Sequence, residues 1–225
     1  MSPQAITLYG HGPSPNPWKV AAILAELGLP YDWKELDHKQ IKAEPYTLIN
    51  PNGRLPAIED PNTGIAIWES GAIIEYLVET YDKEYTISFE HGSKEYFLAK
   101  QWLHFQMSGQ GPYFGQFSWF TKFHPEKVQS AIDRYLNEIR RVSGVLDGVL
   151  NGRKYLVGDK FSYADAAFLP WFDTVQFFTD AIKFETEFPH LWSWLDNIRT
   201  RPAIAKVWEA RGKAAAAAAA AQKQK

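Results

Sequence analysis

The chain has 225 residues, of which 45% are apolar and 22% are charged, proportions typical of a folded protein with one large or two small domains. Its formal net charge of −2 argues against the basic surface that nucleic-acid binding requires. It contains no cysteine, which excludes disulfides, thiolate nucleophiles and cysteine-ligated zinc, so any thiol chemistry needs a thiol that a ligand supplies.

The sequence also carries no signal for a membrane. Residues 1–4 contain neither a basic nor an apolar region ahead of the first predicted strand, so we expect no signal peptide. No apolar run approaches the roughly 18 residues that span a bilayer. No cluster of His and carboxylates has the spacing of a metal site. We therefore expect a cytoplasmic protein without a metal and without a membrane or nucleic-acid partner.

The first third of the chain alternates strand and helix signals. Apolar runs predict strands at 5–9, 31–36, 57–59 and 65–68, and apolar stripes at helical spacing predict helices at 18–27 and 70–81. The β-α-β order implies a parallel strand pair with a right-handed crossover, and the turn 60–64 makes the last two strands an antiparallel hairpin. These elements predict a small mixed sheet covered by helices.

The rest of the chain is predicted to be helical. Its clearest helix runs from Glu126 to Leu150, where apolar residues recur three or four positions apart. Further helix starts are indicated by a capping-box spacing at Ser162 and Asp165 and by the prolines Pro189 and Pro202.

The polar stretch 82–94 marks the boundary between these two parts. We predict a first domain at 1–85, an all-helical domain at 94–213 and a low-complexity tail at 214–225. The alanine run in the tail favours helix but offers no apolar face, so we expect it to pack against nothing.

Three segments carry residues that suit ligand binding, and one is the turn Asn50–Ala57. Its Leu55-Pro56 pair stands just before a strand, where thioredoxin-like folds keep a cis peptide. A cis bond turns the backbone N–H and C=O of Leu55 outward, so an extended peptide can pair with them as an added strand. The alternative is an ordinary loop with a trans proline, and this segment alone does not decide between the two.

A second segment, Trp68–Ile73, ends a strand and starts a helix. The N-terminus of that helix and the hydroxyl of Ser70 suit a carboxylate, while Glu69 suits an ammonium group. Together they form a receptor for the zwitterionic end of an amino acid. The alternative is that Ser70 is only the N-cap of the helix and Glu69 is solvated.

The third segment, Gly12–Val20, brings Ser14 and Asn16 to the start of the first helix. The partial positive charge there favours a thiolate, and a hydroxyl or amide donor can lower the pKa of a ligand thiol. The alternative is turn chemistry and helix capping. All three segments lie at strand ends of one small domain, where we expect the loops to converge.

In this order the segments resemble those of the cytosolic glutathione transferases, and most closely those of the fungal Ure2-like subgroup. The residues that carry the resemblance are Pro15–Val20, Asn50–Arg54, Trp68–Ile73, Gln101–Gln106, Ser108–Pro112, Tyr155–Asp159 and Ser162–Asp165. The likeness covers nearly the whole chain except the tail. It implies an N-terminal thioredoxin-like domain with a mixed four-stranded sheet, a C-terminal all-helical bundle, a homodimer, and glutathione as co-substrate.

The resemblance also implies which residues bind glutathione. They are Asn16, Lys42, Arg54, Leu55, Glu69 and Ser70. In that assignment the Leu55 backbone pairs with the cysteinyl part, and Glu69 and Ser70 hold the γ-glutamyl end. Arg54 lies beside the site, and Lys42 reaches the glycyl carboxylate.

Asn16 is the expected catalytic residue, assisted by Ser14, and Tyr9 in the first strand is expected to be structural. The second substrate is expected between the domains, against aromatic residues. These are Tyr113, Trp119 and Phe120, with a plain core role as the alternative. His104 is expected to be a core or interface residue.

We therefore expect a glutathione S-transferase that activates the glutathione thiol for attack on small hydrophobic electrophiles, in detoxification or in one biosynthetic pathway. Alternatives with the same fold are a glutathione-dependent disulfide reductase or peroxidase, and a non-catalytic Ure2-like regulator. By the same resemblance, the Ure2 regulator carries a long Asn/Gln-rich segment at its N-terminus. The few residues before the predicted first strand contain no such segment, which favours the enzyme.

Overall fold

The computed structural model describes residues 3–222. Within them, the residues up to Ile87 and from Thr200 onward form one compact unit, and Ser88–Arg199 form another. The first unit contains a sheet of strands β1 (Ile6–Gly10), β2 (Tyr31–Glu35), β3 (Ala57–Asp60) and β4 (Ile65–Trp68). Their order in the described chain is β2-β1-β3-β4, with β1 parallel to β2 and the other two pairings antiparallel. The mixed four-stranded sheet predicted from the sequence is confirmed.

Three helices of the first unit follow in the same stretch of chain. They are α1 (Pro15–Glu26), α2 (Tyr46–Ile49) and α3 (Ser70–Tyr81). Helices α1 and α3 pack on the sheet and on each other through their apolar stripes. The fully buried side chains of this core include Ile6, Leu8, Val20, Ile23, Leu24, Ile58, Ile73, Ile74 and Leu77.

A smaller apolar cluster involves the opposite side of β1, because successive strand residues face opposite sides. It consists of Tyr9, Leu36, Ile41, Tyr46 and Ala57. The helix α2 and a 3₁₀ turn at Gln40–Lys42 contribute to it. The sequence predicted only turns here, because segments of three or four residues are too short to show a period.

The second unit is helical throughout. Its helices are α4 (Lys94–Phe105), α5 (Gly111–Ser118), α6 (Gln129–Leu150), α7 (Tyr163–Ala166), α8 (Leu169–Val175), α9 (Phe184–Glu187) and α10 (Pro189–Arg199). Wider π-helical turns follow α4 and α5, at Gln106–Gln110 and Trp119–Phe123. All of residues 88–199 are described and none lies in a strand, so the predicted all-helical bundle is confirmed. No helix in the described chain has both the length and the apolar character to cross a bilayer.

The capping box predicted at the start of α7 is present. Ser162 and Asp165 each accept a hydrogen bond from the other's backbone N–H. The carboxylate of Asp165 is fully buried and also accepts from the backbone N–H of Leu156 at 3.0 Å and from Trp194 Nε1 at 2.9 Å. Its role is structural, because it joins the start of α7 to a preceding loop and to α10.

The last helix, α11 (Pro202–Gln222), belongs with the first unit and packs on α1. The Arg201 guanidinium just before it donates to both oxygens of Glu26 on α1, at 2.8 and 2.7 Å. We predicted 214–225 as a separate tail after a domain at 94–213. The helix is continuous through that point, and the Ala218 methyl lies 3.9 Å from where a Cβ on Gly12 would stand. Residues 223–225 of the predicted tail lie outside the described residues.

Candidate functional site

A cleft in the first unit lies where the start of α1, the turn before β3 and the start of α3 meet. Its empty volume, which includes space open to solvent, is about 360 Å³. The lining residues are Asn16, Asn50, Arg54, Leu55, Pro56, Glu69 and Ser70. Five residues that the resemblance assigned to glutathione binding therefore line one cleft, and Asn50 and Pro56 join them.

The turn before β3 is fixed by hydrogen bonds to one carbonyl oxygen. Asn50 is buried, and its Nδ2 donates to the backbone oxygen of Arg54 at 2.7 Å. The Tyr46 hydroxyl donates to the same oxygen at 2.6 Å. Asn50 lies in the segment Asn50–Ala57 of the sequence analysis, which assigns it no role. The structure gives it one, which is to hold the backbone that presents Arg54 to the cleft.

Gly53 makes the same turn possible. Its φ is +59°, a conformation that other residues rarely adopt, and a Cβ there would lie 2.7 Å from the carbonyl oxygen of Ile41. The Leu55–Pro56 peptide that follows is cis, so the sequence alternative with a trans proline is wrong. Leu55 follows this turn in the chain and lines the cleft.

Glu69 and Ser70 stand at the start of α3. Glu69 occupies the N-cap position with φ 72° and ψ 113°, a costly conformation for a residue other than glycine. Ser70 is the first helical residue and is only 2% exposed. The alternative that Ser70 is the N-cap is therefore wrong. The strained backbone directs an exposed carboxylate and a buried hydroxyl toward the same cleft.

Ser14 and Asn16 stand at the start of α1. Ser14 is the N-cap residue, and its backbone N–H donates to the carbonyl oxygen of His11 at 3.0 Å. Asn16 lies between Pro15 and Pro17, whose fixed φ suits the first helical turn. Asn16 lines the cleft, whereas Ser14 is not among the described residues that line it.

Two helix N-termini therefore open on one cleft, because Asn16 of α1 and Ser70 of α3 both line it. Each N-terminus carries a partial positive charge, because the helix dipoles point their positive ends there. The first backbone N–H groups of a helix have no partner within the helix, although in α1 Pro15 and Pro17 supply none. Such a cleft favours anionic groups, and Glu69 adds one carboxylate that favours a cation.

Lys19 is a residue near the site that the sequence reasoning missed. It lies one turn after Asn16 on α1 and has no exposed surface. Burial lowers the pKa of its ammonium group from an ordinary 10.5 to about 7, and the nearby Glu69 carboxylate partly opposes that change. A lysine beside an apolar stripe is usually solvent-exposed, so no pattern in the sequence indicates that this position is buried.

Two models of known families match the chain, and they cover most of it. The glutathione S-transferase N-terminal domain matches residues 4–79, and the glutathione S-transferase C-terminal domain matches residues 111–202. The chain belongs to the glutathione S-transferase family. The resemblance stated from the sequence is confirmed.

Curated and solved relatives of this transferase-family chain include Ure2-like proteins. The glutathione S-transferase-like protein tpcF of Aspergillus fumigatus is 52% identical over 216 residues, which are 90% of this chain and 94% of that protein. The glutathione transferase URE2P6 of Phanerochaete chrysosporium, solved with oxidized glutathione, is 50% identical with a TM-score of 0.91, covering 94% and 98% of the two chains. Ure2p5 of the same fungus, cocrystallized with 1-(S-glutathionyl)-2,4-dinitrobenzene, is 39% identical with a TM-score of 0.86, covering 96% and 98%.

Tyr9, which the sequence analysis expects to be structural, lies in β1. It is buried, and its hydroxyl donates to the Glu59 carboxylate. Burial, together with the hydrogen bond to Glu59, raises the pKa of its hydroxyl well above the usual range. Lys42 stands beside the turn before β3, where its Nζ donates to the backbone oxygen of Asn52 at 3.3 Å, and it is not among the described residues lining the cleft.

The aromatic residues that the sequence analysis expects to contact a second substrate lie in the second unit. Trp119 is 48% exposed, and Tyr113 and Phe120 are partly exposed, so none of them is plain core. The Phe120 ring stacks on Tyr135 with centroids 5.8 Å apart. His104 is exposed as well, which rules out a core position. In the described residues, no group of three or more His, Asp or Glu side chains could hold a metal ion.

Proposed function

We propose that this protein binds glutathione in the cleft and activates its thiol for attack on small hydrophobic electrophiles. One observation carries the proposal: the N-termini of α1 and α3 open on a cleft that is also lined by Glu69 and Leu55. Glutathione has two carboxylates, one ammonium group, an extended backbone and one thiol, and the cleft offers each of them a partner of matching chemistry. The relatives that hold oxidized glutathione and a glutathione conjugate support the same proposal.

The γ-glutamyl end binds at the start of α3. Its carboxylate accepts hydrogen bonds from Ser70 and the helix N-terminus, and its ammonium group donates to Glu69. The cysteinyl backbone pairs with the N–H and C=O of Leu55 as an added strand would. The glycyl carboxylate lies toward Arg54, with Lys42 as a second cation beside the same turn.

Asn16 activates the thiol, and Ser14 assists from the N-cap of α1. A side-chain N–H that donates to sulfur stabilises the thiolate more than the thiol, so the pKa of the bound thiol falls. The positive end of α1 acts in the same direction. With an aryl halide, the thiol proton leaves to solvent, a sulfur–carbon bond forms, and the halide departs with the electron pair of the broken bond.

Tyr113, Trp119 and Phe120 supply apolar surface for the electrophile. Their partial exposure supports this role, because aromatic side chains in a core position would be covered. The proposal further takes the protein to be a cytoplasmic homodimer. Sedimentation of the purified chain tests the dimer, and fractionation of the producing cell tests the location.

A disulfide reductase or peroxidase that uses glutathione is the second candidate. It is favoured by the relative whose structure contains oxidized glutathione, because that ligand is a disulfide. Turnover of an aryl halide against turnover of a mixed disulfide or a hydroperoxide separates the two functions. A chain that binds glutathione but turns over none of the three would instead be a non-catalytic regulator.

The experiment that tests the site is calorimetry with glutathione on the wild type and on matched variants. Ser70→Ala removes a buried donor, so we expect the Kd to rise about tenfold, which corresponds to about 1–2 kcal/mol. Ser118→Ala is the control, because its hydroxyl is also buried in a helix but donates to Phe114 in the second unit. No binding by the wild type at millimolar glutathione would overturn the proposal.

A second pair of variants tests the catalytic assignment. Asn16→Asp keeps the shape of the side chain but replaces its N–H donor with a negative charge, so the pKa of the bound thiol should rise and kcat should fall. We expect Asn16→Ala to lower kcat less, because it adds no charge. Unchanged rates in both variants would remove Asn16 from the mechanism and leave the thiol activation to α1 and Ser14.

A further inference from the structure

The loop between β1 and α1 is held in place by side chains from other elements. Its central residue, Gly12, has φ +40°. The backbone N–H of Gly12 donates to Glu35 Oε1 at 2.6 Å, and its backbone oxygen accepts from Trp18 Nε1 at 2.7 Å. Both polar backbone groups of Gly12 are thus bonded to side chains, one from the end of β2 and one from α1.

These two side chains are also linked to each other through Trp33 of β2. Trp33 Nε1 donates to Glu35 Oε2 at 2.7 Å, and the Trp33 ring stacks on Trp18 with centroids 4.4 Å apart. We call the set of Glu35, Trp33 and Trp18 the Gly12 clamp. With Gly12 it forms a closed ring of three hydrogen bonds and one stacked contact.

The Gly12 clamp packs against Gly10, the last residue of β1, which has no side chain. A Cβ on Gly10 would lie 2.2 Å from the Trp33 ring, so the indole occupies the space that any other side chain would take. Trp18 is only 5% exposed, which anchors the clamp in the first unit. The Glu35 side chain is 52% exposed, so it contributes through its two directed hydrogen bonds and not through burial.

The clamp acts on the residues that the proposed mechanism uses. Ser14 lies two residues after Gly12, and Asn16 lies two residues before Trp18, so the clamp holds the chain on both sides of them. A displacement of about 1 Å at a reacting group can reduce a rate by up to about 100-fold. Rigid support on both sides of Asn16 therefore bears on the rate more than on ligand affinity.

We propose that Glu35 is a positioning residue, which fixes Gly12 and Trp33 so that Asn16 meets the sulfur of glutathione in the orientation that stabilises the thiolate. The inference rests on the proposed function, since it needs a thiol in this cleft. It goes beyond it by assigning a role to a residue that is not among the described residues lining the cleft.

The role requires a carboxylate and not merely a polar side chain. Two N–H donors, from Gly12 and Trp33, approach two different oxygens of Glu35. His11 Nδ1 lies 3.0 Å from the oxygen that accepts from Gly12. A glutamine has one oxygen and one NH₂ group, so one of the two N–H groups would face a donor instead of an acceptor.

Glu35→Gln in the full chain tests this role. We expect kcat for an aryl halide to fall about tenfold, and the pH profile of kcat to move to higher pH because the bound thiol is less activated. The glutathione Kd should change by less than about twofold, because the binding groups at α3 and the turn before β3 are untouched. Glu138→Gln is the matched control, since that carboxylate also accepts a hydrogen bond, from Arg141 at 2.8 Å, but in the second unit.

Trp33→Phe provides an independent variant. It keeps an aromatic ring near Trp18 but removes the N–H that donates to Glu35 together with part of the fused ring. We therefore expect kcat to fall, as in Glu35→Gln. The double variant should lose little more than the stronger single one, because both changes open the same ring.

The outcomes separate the two proposals. An unchanged kcat and pH profile in Glu35→Gln, with normal glutathione binding in the wild type, overturns the inference alone. A loss of kcat that merely follows a loss of glutathione affinity or of folded protein also overturns it, because that result indicates a structural role. A wild type that does not bind glutathione overturns the proposed function, and the inference falls with it.

Discussion

At the scale of single residues, Lys19 places a titratable group inside the first unit next to the candidate site. Removing an ammonium group from water is costly unless other groups compensate, and the cost appears as a lowered pKa. Here burial brings the pKa of Lys19 to about 7, with Glu69 opposing the change. Glu69 is also the residue with strained backbone at the start of α3. The protonation of Lys19 is therefore tied both to stability and to the electrostatics of the cleft.

The lowered pKa predicts how the stability of Lys19→Met compares with the wild type as pH changes. Between pH 7 and about 10 the unfolded wild type binds a proton at this lysine that the folded protein does not, so wild-type stability rises with pH across that window. Methionine has no such proton. The measurement is the difference in Tm, variant minus wild type, in thermal scans at several pH values. We expect this difference to have its highest value at pH 7 and its lowest value near pH 10. A difference that is constant across this window would contradict the lowered pKa.

Gly53 allows a prediction that separates backbone strain from site geometry. Gly53→Ala and Gly64→Ala both place a Cβ at positive φ, which costs about 1 kcal/mol. Only at Gly53 would the new Cβ collide with backbone, at 2.7 Å from Ile41, whereas at Gly64 nothing lies within 4 Å. We expect both variants to lose stability in denaturant titrations, but only Gly53→Ala to weaken glutathione binding in calorimetry. Equal glutathione affinity in the two variants would mean that the turn at Gly53 does not contribute to glutathione binding.

The residue-level features differ in how far a sequence can reveal them. The residues Asn16, Leu55, Glu69 and Ser70 stand in short segments whose order along the chain indicates convergence, and they line one cleft. Lys19 was not predictable, because its burial depends on tertiary packing and its neighbours in sequence look like an ordinary amphipathic helix. The positive φ of Glu69 was not predictable either, since the sequence offers no glycine or asparagine there.

At the scale of secondary-structure elements, the long periodic helices were predictable and the irregular ones were not. Helix α3 begins and ends where the apolar spacing predicted, and α6 begins at Gln129, slightly after the predicted start. The π-helical turns after α4 and α5 escaped prediction because a single wider turn changes the period too briefly. Each strand end lies at the predicted residue or one residue away from it, a difference within the usual uncertainty of strand ends.

The capping box of α7 supplies the prediction at this scale. Asp165→Ala would leave three buried N–H groups without their acceptor, those of Ser162, Leu156 and Trp194. Each stranded buried donor costs about 1–3 kcal/mol, so we expect a loss of at least about 3 kcal/mol in the free energy of unfolding. Urea titration, monitored by circular dichroism, measures this loss.

The matched control is Asp147, a residue of α6 whose carboxylate caps the N-terminus of α10. Asp147 accepts from the backbone N–H groups of His190 and Leu191 at 2.8 and 3.0 Å, but it is only partly buried. Water can replace it there, so Asp147→Ala should cost only about 1 kcal/mol. Similar losses in the two variants would mean that burial of Asp165 does not decide its contribution.

At the scale of the whole molecule, the chain leaves the first unit at Ile87 and returns to it at Thr200. Composition and periodicity assign α11 to the predicted helical domain, because the sequence of a helix does not indicate which domain it will pack against. Helix α11 packs on α1, and Arg201 pairs with the nearly buried carboxylate of Glu26. Ile204 and Val207 of α11 are buried. The first unit is thus completed by residues far away in the sequence.

This arrangement predicts opposite results for two truncations. A chain ending at Thr200 removes Arg201 and all of α11, which uncovers α1 and leaves the Glu26 carboxylate, 6% exposed in the intact protein, without its guanidinium partner. Because α1 carries Asn16 and packs on α3, we expect this chain to lose glutathione binding and the cooperative melting of the first unit. A chain ending at Lys213 keeps Ile204, Val207 and the pair with Glu26, so its glutathione Kd should stay within about threefold of the full chain. Calorimetry and thermal melts of both truncations test whether the first unit needs α11. Retained glutathione binding in the shorter chain would mean that the first unit is complete without α11.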